Sequence, residues 1–254
     1  MNNYQQNIFE IYKNINENNS SISELWFSQL EAKTLKENKL SISTIQSQFP
    51  NAQKRCLRTL CKSILREGIF SAPENLLTSN NNAYLNLDNS PLTLKIENIK
   101  QVRYGLLEDF TALTLTENDK LIFVLDDPMK LLALLSIHTD FPLQEIERFA
   151  HELLNSMLND ALFLSYRSVW GNDLKNKIAE NEDLFFWSWL QKLKTDKDKC
   201  LLLEQWGTVG HPIHPGVKCK QDLTAQQVLT MSPEFQRAFR ILCQANSLNI
   251  QHAI

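Results

Sequence analysis

Apolar residues recur at three- and four-residue spacing through the first third of the chain, which is the period of an amphipathic helix. Ile8, Phe9, Ile11, Tyr12 and Ile15 form one such stripe. Ser21-Ile22-Ser23-Glu24 has the form of a capping box opening a second helix that carries Leu25, Trp26, Leu30 and Leu35. Asn51 is a suitable N-cap for a third, with Cys56, Leu57, Leu60, Cys61, Ile64 and Leu65 as its buried face and Gly68 closing it in a left-handed conformation. Arg55, Arg58, Lys62 and Arg66 fall on another face of that helix and read as a solvated side.

The period then changes. Residues 79–91 are polar and turn-rich and mark a boundary. Leu92, Leu94 and Ile96 alternate with polar residues, and 102–106, 110–116 and 121–125 are further short β-prone runs. Asn118-Asp119 suits a hairpin turn between the last two, so an antiparallel sheet of three or four strands is expected. Helical spacing returns at Asp127-Pro128, an N-cap followed by proline at the first helical position. Pro142 opens a long helix with Ile146, Phe149, Ala150, Leu153, Leu154, Met157, Leu158, Ala161 and Leu162 on one side. Leu184, Phe185, Trp187, Trp189, Leu190 and Leu193 give an aromatic-rich helix, read as core. Thr224-Ala225-Gln226-Gln227 is a capping box, and Ser232-Pro233-Glu234 starts a last helix with Phe235, Ala238, Phe239 and Leu242 apolar. The expected class is α+β, mostly helical, with one small antiparallel sheet inserted after the N-terminal helices. The expected regions are 1–78 helical, 79–126 sheet, and 127–254 helical.

Composition narrows the function classes. A net charge of −3 gives no electrostatic case for nucleic-acid binding. The longest apolar runs, at 131–137 and 184–190, are too short to cross a bilayer, and the polar N-terminal stretch lacks a signal-peptide pattern. Five cysteines without CxxC spacing suit a reducing compartment, so a cytoplasmic location is expected. The six glycines exclude the glycine-rich phosphate loops of the common nucleotide folds.

Candidate chemistry concentrates in residues 208–235, TVGHPIHPGVKCKQDLTAQQVLTMSPEF. Two histidines three apart, His211 and His214, are each followed by proline, and Lys218 and Lys220 lie just beyond. Proline fixes φ and removes a backbone donor, so the segment is a stiff loop rather than a helix or central strand. Three readings fit these residue types. His211, His214, Lys218 and Lys220, with the hydroxyls of Thr208 and Thr224, can stabilise the negative charge of a phosphate or of a phosphoryl or adenylyl transfer. His211, His214 and Cys219 are three donors acceptable to zinc, although their spacing matches no standard zinc motif. The loop can also be purely structural, its histidines bonded to backbone carbonyls.

GHPIHPGVK followed by SPEF resembles the IucA/IucC family, the siderophore synthetases that work without a nonribosomal peptide synthetase. The family pattern looks like GHPxHPxxKxRxG, then a short spacer and YxPEF. RCLRTLCKSILREG at 55–68, FAHELLNSMLNDA at 149–161 and LEQW at 203–206 are similar to further family stretches. The resemblance implies ATP-dependent adenylation of a citrate-type carboxylate, followed by condensation with an amine or hydroxyl. It puts His211 and His214 in the catalytic role and Thr208, Lys218 and Lys220 at the nucleotide, with Mg2+ as counter-charge and no protein-bound metal otherwise. Lys220 and Asp222 stand where the family pattern has arginine and glycine, and Met231 replaces the aromatic before PEF. Family members are typically more than twice this long and continue into a palm-like domain. The expectation is therefore an N-terminal portion, truncated or split, inactive alone and completed by a C-terminal half or a full-length synthetase. The alternative is a non-catalytic interaction module derived from such an enzyme.

Overall fold

The structure is a computed structural model and describes residues 3–99, 102–103, 106–107, 109–180, 186–193, 195–196, 198–200, 203 and 214–235. Its α+β architecture agrees with the sequence. Three helices come first: α1 (Asn3–Ser28), α2 (Ala32–Glu37) and α3 (Ile42–Glu67). Seven short strands follow: β1 (Leu77–Ser79), β2 (Asn82–Asn86), β3 (Leu92–Glu97), β4 (Val102–Arg103), β5 (Leu106–Leu107), β6 (Ala112–Glu117) and β7 (Lys120–Val124). Then come α4 (Pro128–His138), α5 (Leu143–Glu180), α6 (Phe186–Gln191) and α7 (Ala225–Met231), with a 3-10 turn at Pro233–Phe235.

Two helix starts differ from the sequence reading, each for a local reason. α1 runs straight through the Ser21–Glu24 segment, because Ser21 and Ser23 donate to the carbonyls of Asn18 and Asn19 (3.0 and 3.1 Å) instead of capping a new helix. Ile8, Ile15 and Trp26 keep one buried face across it. α3 begins eight residues before Pro50, after a capping box in which Ser41 accepts from the Thr44 N–H and the Thr44 hydroxyl accepts from the Ser41 N–H. Asn51 is therefore interior, with its side chain on Gln48 (2.9 Å). Pro50 is exposed, and the buried Ile45 and Ala52 on either side of it hold the helix against the core. Gly68 ends α3 at φ 65°, as the sequence indicates.

The sheet is larger than expected: five antiparallel strands in the order β1-β2-β3-β6-β7, with β4 and β5 forming a separate two-stranded ribbon. The extra strands come from the polar stretch read as a boundary. Asn80 and Asn81 both have positive φ and close the β1–β2 hairpin, while Ala83 and Leu85 turn inward from β2. Asparagine thus masks an alternation that was present. Asn118 and Asp119 make the β6–β7 turn with φ of 49° and 62°, as anticipated. One face of the sheet, with Leu92, Leu94, Ile96, Leu113 and Leu115, is buried and joins the helical core.

Asp127 caps α4 through the Met129 N–H (2.8 Å), and Pro142 accepts the first helical bonds of α5. α3 and α5 form the most extensive helix–helix contact, and the loop of interest lies along them. Leu190 is buried as expected, whereas Leu184, Phe185, the side chains of Trp187 and Trp189, and the helix foreseen beyond Phe235 fall outside the described residues. No helix among the described residues is long and apolar enough to cross a membrane.

Cys56 and Cys61 face the core of α3, and burial pushes the Cys61 thiol up to about 12 and Cys56 higher still. Cys200 is exposed and Cys219 half-buried. Among the described cysteines, thiol reagents are accordingly expected to modify Cys200 first and Cys219 more slowly, and to reach Cys56 and Cys61 only on unfolding. Peptide mapping after timed alkylation checks this; early labelling of Cys61 in the native protein would contradict the α3 placement.

Candidate functional site

α5 carries a polar stripe on an otherwise apolar buried face. Asn155, Ser156, Asn159 and Asp160 fall on two successive turns, so they share one direction. Three of them hold the backbone of the histidine loop. Ser156 Oγ accepts from the Lys218 N–H (3.1 Å) and lies 3.4 Å from the Pro215 carbonyl. Asn159 Nδ2 donates to the Lys218 carbonyl (2.9 Å), and Asn155 Oδ1 accepts from the Lys220 N–H (2.8 Å). The indole N–H of Trp26 donates to Asn159 Oδ1 (3.3 Å), which ties α1 into the same network. A proline-containing loop cannot pair its backbone as a strand would, so these side chains supply the partners that a buried backbone needs.

The loop in turn fixes two cations on one carboxylate. Lys218 Nζ is 3.3 Å from Glu234 Oε1, and Lys220 Nζ is 3.2 Å from Glu234 Oε2 and 2.8 Å from Ser232 Oγ. Lys218 also sits over the Phe163 ring, 4.5 Å from its centroid, and that ring and Tyr166 both pack edge-on against Phe235. Burial lowers the Lys218 ammonium below its usual range, while Glu234 and Asp160 pull it back up. Burial also pushes the Glu234 carboxyl up, but Lys218 and Lys220 outweigh it and hold the group below the usual carboxylate range. Glu234 was seen in the sequence only as part of the PEF segment; its role as the shared counter-ion depends on a contact across the loop.

Beside Lys218 is a cleft of about 40 Å³ lined by Arg55, Cys56, Ser156, Asp160, Pro215 and Lys218, among others. Arg55 Nη1 lies 3.3 Å from Asp160 Oδ1, and Arg58 pairs with Asp109 at 2.7 Å while donating to the Phe110 carbonyl. This corrects the reading of the α3 basic face as solvated. Arg55 and Arg58 are only 30% and 26% exposed and are held by carboxylates from other elements, whereas Arg66 remains exposed. Burial raises the Asp160 carboxyl, and Arg55 and then Lys218 oppose that rise.

The structure places the sequence-nominated residues unevenly. Lys218 and Lys220 come together. His214 is exposed, and its Nδ1 accepts from the Gly216 N–H (3.1 Å), which leaves the proton of a neutral ring on Nε2. Thr224 caps α7 through Gln227. His211 and Thr208 lie outside the described residues. The zinc alternative includes His211 and so also lies outside them; among the described residues there is no group of three potential metal-binding side chains. Asp222 is exposed and is not among the positive-φ residues, so its backbone does not require the glycine of the family pattern. Arg55 and Asp160 were missed as site residues. Their only sequence signal was membership of the two helical stretches that carry the family resemblance.

An α+β chain that locks a proline-braced histidine–lysine loop onto a polar helix face is the class defined by fold and site. Residues 199–249, which contain that loop, match the model described as the IucA / IucC family. Over 202 residues the chain is 28% identical to the staphyloferrin A synthase of Staphylococcus aureus (strain NCTC 8325 / PS 47), covering 75% of this chain and 32% of the synthase. It is also 35% identical over 91 residues to the uncharacterized protein y4xN of Sinorhizobium fredii (strain NBRC 101917 / NGR234), covering 35% of this chain and 14% of that protein. No solved structure matches significantly. The family match lies on residues 199–249 and the alignment to the synthase extends the likeness over 75% of the chain, so the chain is similar to the IucA / IucC family. It spans a third or less of the length of these two relatives.

Proposed function

We propose that this chain supplies the histidine–lysine wall of a siderophore synthetase. In that reaction a carboxylate oxygen of a citrate-type acid attacks the α-phosphorus of ATP and pyrophosphate leaves. An amine nitrogen or a hydroxyl oxygen then attacks the acyl carbon and AMP leaves. His211, His214, Lys218 and Lys220, with Thr208, are assigned to the nucleotide side, where their donors meet the charge that builds on the phosphate oxygens. The observation that carries this reading is the pair of lysines, Lys218 and Lys220, held together on one carboxylate at the motif positions. Preset cations need no reorganisation when charge develops, which is how such groups lower a barrier. Mg2+ is expected with the nucleotide, but the described residues offer no ligand cluster for it, so no step is assigned to it here.

The chain spans 32% of the synthase, and the other contacts of a complete site are assigned to sequence beyond these residues. With ATP, Mg2+ and citrate the 254-residue chain alone is expected to release no pyrophosphate. ATP is nevertheless expected to bind it weakly in equilibrium dialysis, with binding lost in a His211→Ala/His214→Ala double variant. Unchanged ATP binding in that variant would sink the assignment of the loop. The alternative, a non-catalytic interaction module, draws on Val217 and Met231, which are exposed on and just after the loop (37% and 46%). A clean monomer in size-exclusion chromatography, alone and mixed with a full-length synthetase, argues against it.

A further inference from the structure

We propose that the cleft between Arg55, Asp160 and Lys218 is a hydroxyl-binding subsite, in which an alcohol group of a substrate donates to Asp160 and accepts from Lys218. The inference starts from one atom. Asp160 is 6% exposed, and its Oδ1 is buried without a hydrogen bond among the described residues. The nearby Arg55 Nη1, at 3.3 Å, is close enough for an ion pair but not aligned to donate. A buried carboxylate oxygen lacking a donor is costly, and this one lines a cleft rather than packed core.

The lining selects what can complete it. A cation is disfavoured because Arg55 and Lys218 already line the same space. A fully charged anion is disfavoured because it would sit against the Asp160 carboxylate. What remains is a neutral group that both donates and accepts, and a hydroxyl does so through a single atom. The hydroxyl of Ser156, itself a cleft residue, is engaged with the Lys218 N–H and the Pro215 carbonyl. The volume of about 40 Å³ fits a small polar group better than a whole phosphate. The five charged groups Arg55, Lys218, Lys220, Asp160 and Glu234 then divide into two roles: Glu234 gathers the lysines, and Asp160, ion-paired with Arg55, keeps an oxygen without a hydrogen bond for the ligand.

The proposal rests on the synthetase reading for the identity of the ligand, though not for the chemistry of the cleft. Two sources of hydroxyl follow from that reading, the ribose of ATP and the hydroxy acid. Affinities of the full chain are compared for ATP against 2′,3′-dideoxy-ATP, and for citrate against propane-1,2,3-tricarboxylate, which lacks only the hydroxyl. In one of the pairs the hydroxylated member is expected to bind about tenfold more tightly or better, the worth of a hydrogen bond to a charged group. That ratio is expected to fall toward one in Asp160→Ala and to shrink in Asp160→Asn, which keeps the shape and is checked for folding by its melting curve. Which pair responds names the source. Equal affinities within both pairs, or a ratio that survives in both variants, overturns the proposal.

A crystal soak separates this idea from the synthetase reading. If neither ATP nor citrate binds, that reading fails, and ethylene glycol and sulfate soaks decide the cleft by themselves. A glycol oxygen within hydrogen-bonding distance of Asp160 and Lys218 supports the subsite. Sulfate in its place, or water only in every soak, overturns it.

Discussion

Replacing Glu234 by alanine is expected to destabilise the protein by about 3 kcal/mol or more, as breaking a buried ion pair from one side does. The side chains of Lys218 and Glu234 are 7% and 12% exposed, so solvent screens the pair little. The variant leaves the Lys218 ammonium buried over the Phe163 ring, with Asp160 as the remaining counter-charge among the described residues and Lys220 repelling it. A Glu234→Ala/Lys218→Met double variant is expected to recover much of the loss, because it removes the orphaned charge while keeping the apolar stem on the ring. Glu234→Gln should fall between, since an amide can still accept from one lysine. Urea unfolding of the four proteins checks the series. A change within about 0.5 kcal/mol for Glu234→Ala, the usual range of surface substitutions, would show that the pair is not buried as described.

The pH dependence follows from the two shifts. The folded-state Glu234 carboxyl lies below its ordinary value of 4.5, so its contribution is fully present above that value and is lost as pH falls through the folded value. Lys218 shifts the opposite way for a base: its folded value is below 10.5, so the cost of burying its charge is relieved as pH rises from the folded value toward 10.5. Glu234→Ala should therefore lose the acid-side component and regain part of its stability in alkali, where Lys218 gives up its proton.

Asn159→Ala is expected to cost about 3 kcal/mol, through groups left unsatisfied more than through lost packing. The Trp26 indole N–H and the Lys218 carbonyl lose their partner together, on residues only 4% and 5% exposed. The Asn155 side chain also loses a donor at 3.0 Å and is freer to release the Lys220 N–H. Amide hydrogen exchange should therefore quicken at Lys218 and Lys220 before the global core opens. Asn155→Ala, at a half-buried position, is expected to cost about 1 kcal/mol, the worth of an ordinary hydrogen bond. Equal losses for the two variants, or unchanged exchange at the loop in Asn159→Ala, would count against the α5 stripe as the element that holds the loop.

Much of the fold was legible because its signals are local. The Asp127-Pro128 start, the Thr224–Gln227 capping box, the Gly68 stop and the Asn118-Asp119 turn each depend on residues within a few positions of one another. The errors arose where a local signal had a stronger rival. Ser21 and Ser23 bond backward within α1, and the buried positions flanking Pro50 carry α3 through it. In β2 the inward alternation of Ala83 and Leu85 was hidden among asparagines that serve the turn before it.

The site divides along the same line. From sequence alone come the expectation of a stiff HPxHP loop, the placing of Lys218 and Lys220 just after it, the amphipathic helices and the likeness to one family. These follow from residue type and short spacing, which fix φ, caps and periodicity without reference to the rest of the chain. Only the tertiary structure decided that Glu234 bridges the lysines, that Arg55 crosses from α3 to Asp160 on α5, and that a carboxylate oxygen is left unsatisfied in the cleft between them. Arg55 and Asp160 are distant in sequence, and a charged residue on a helix reads as solvated until its neighbours are known. Burial and pairing are properties of packing, and α3 meets α5 only once the core has formed.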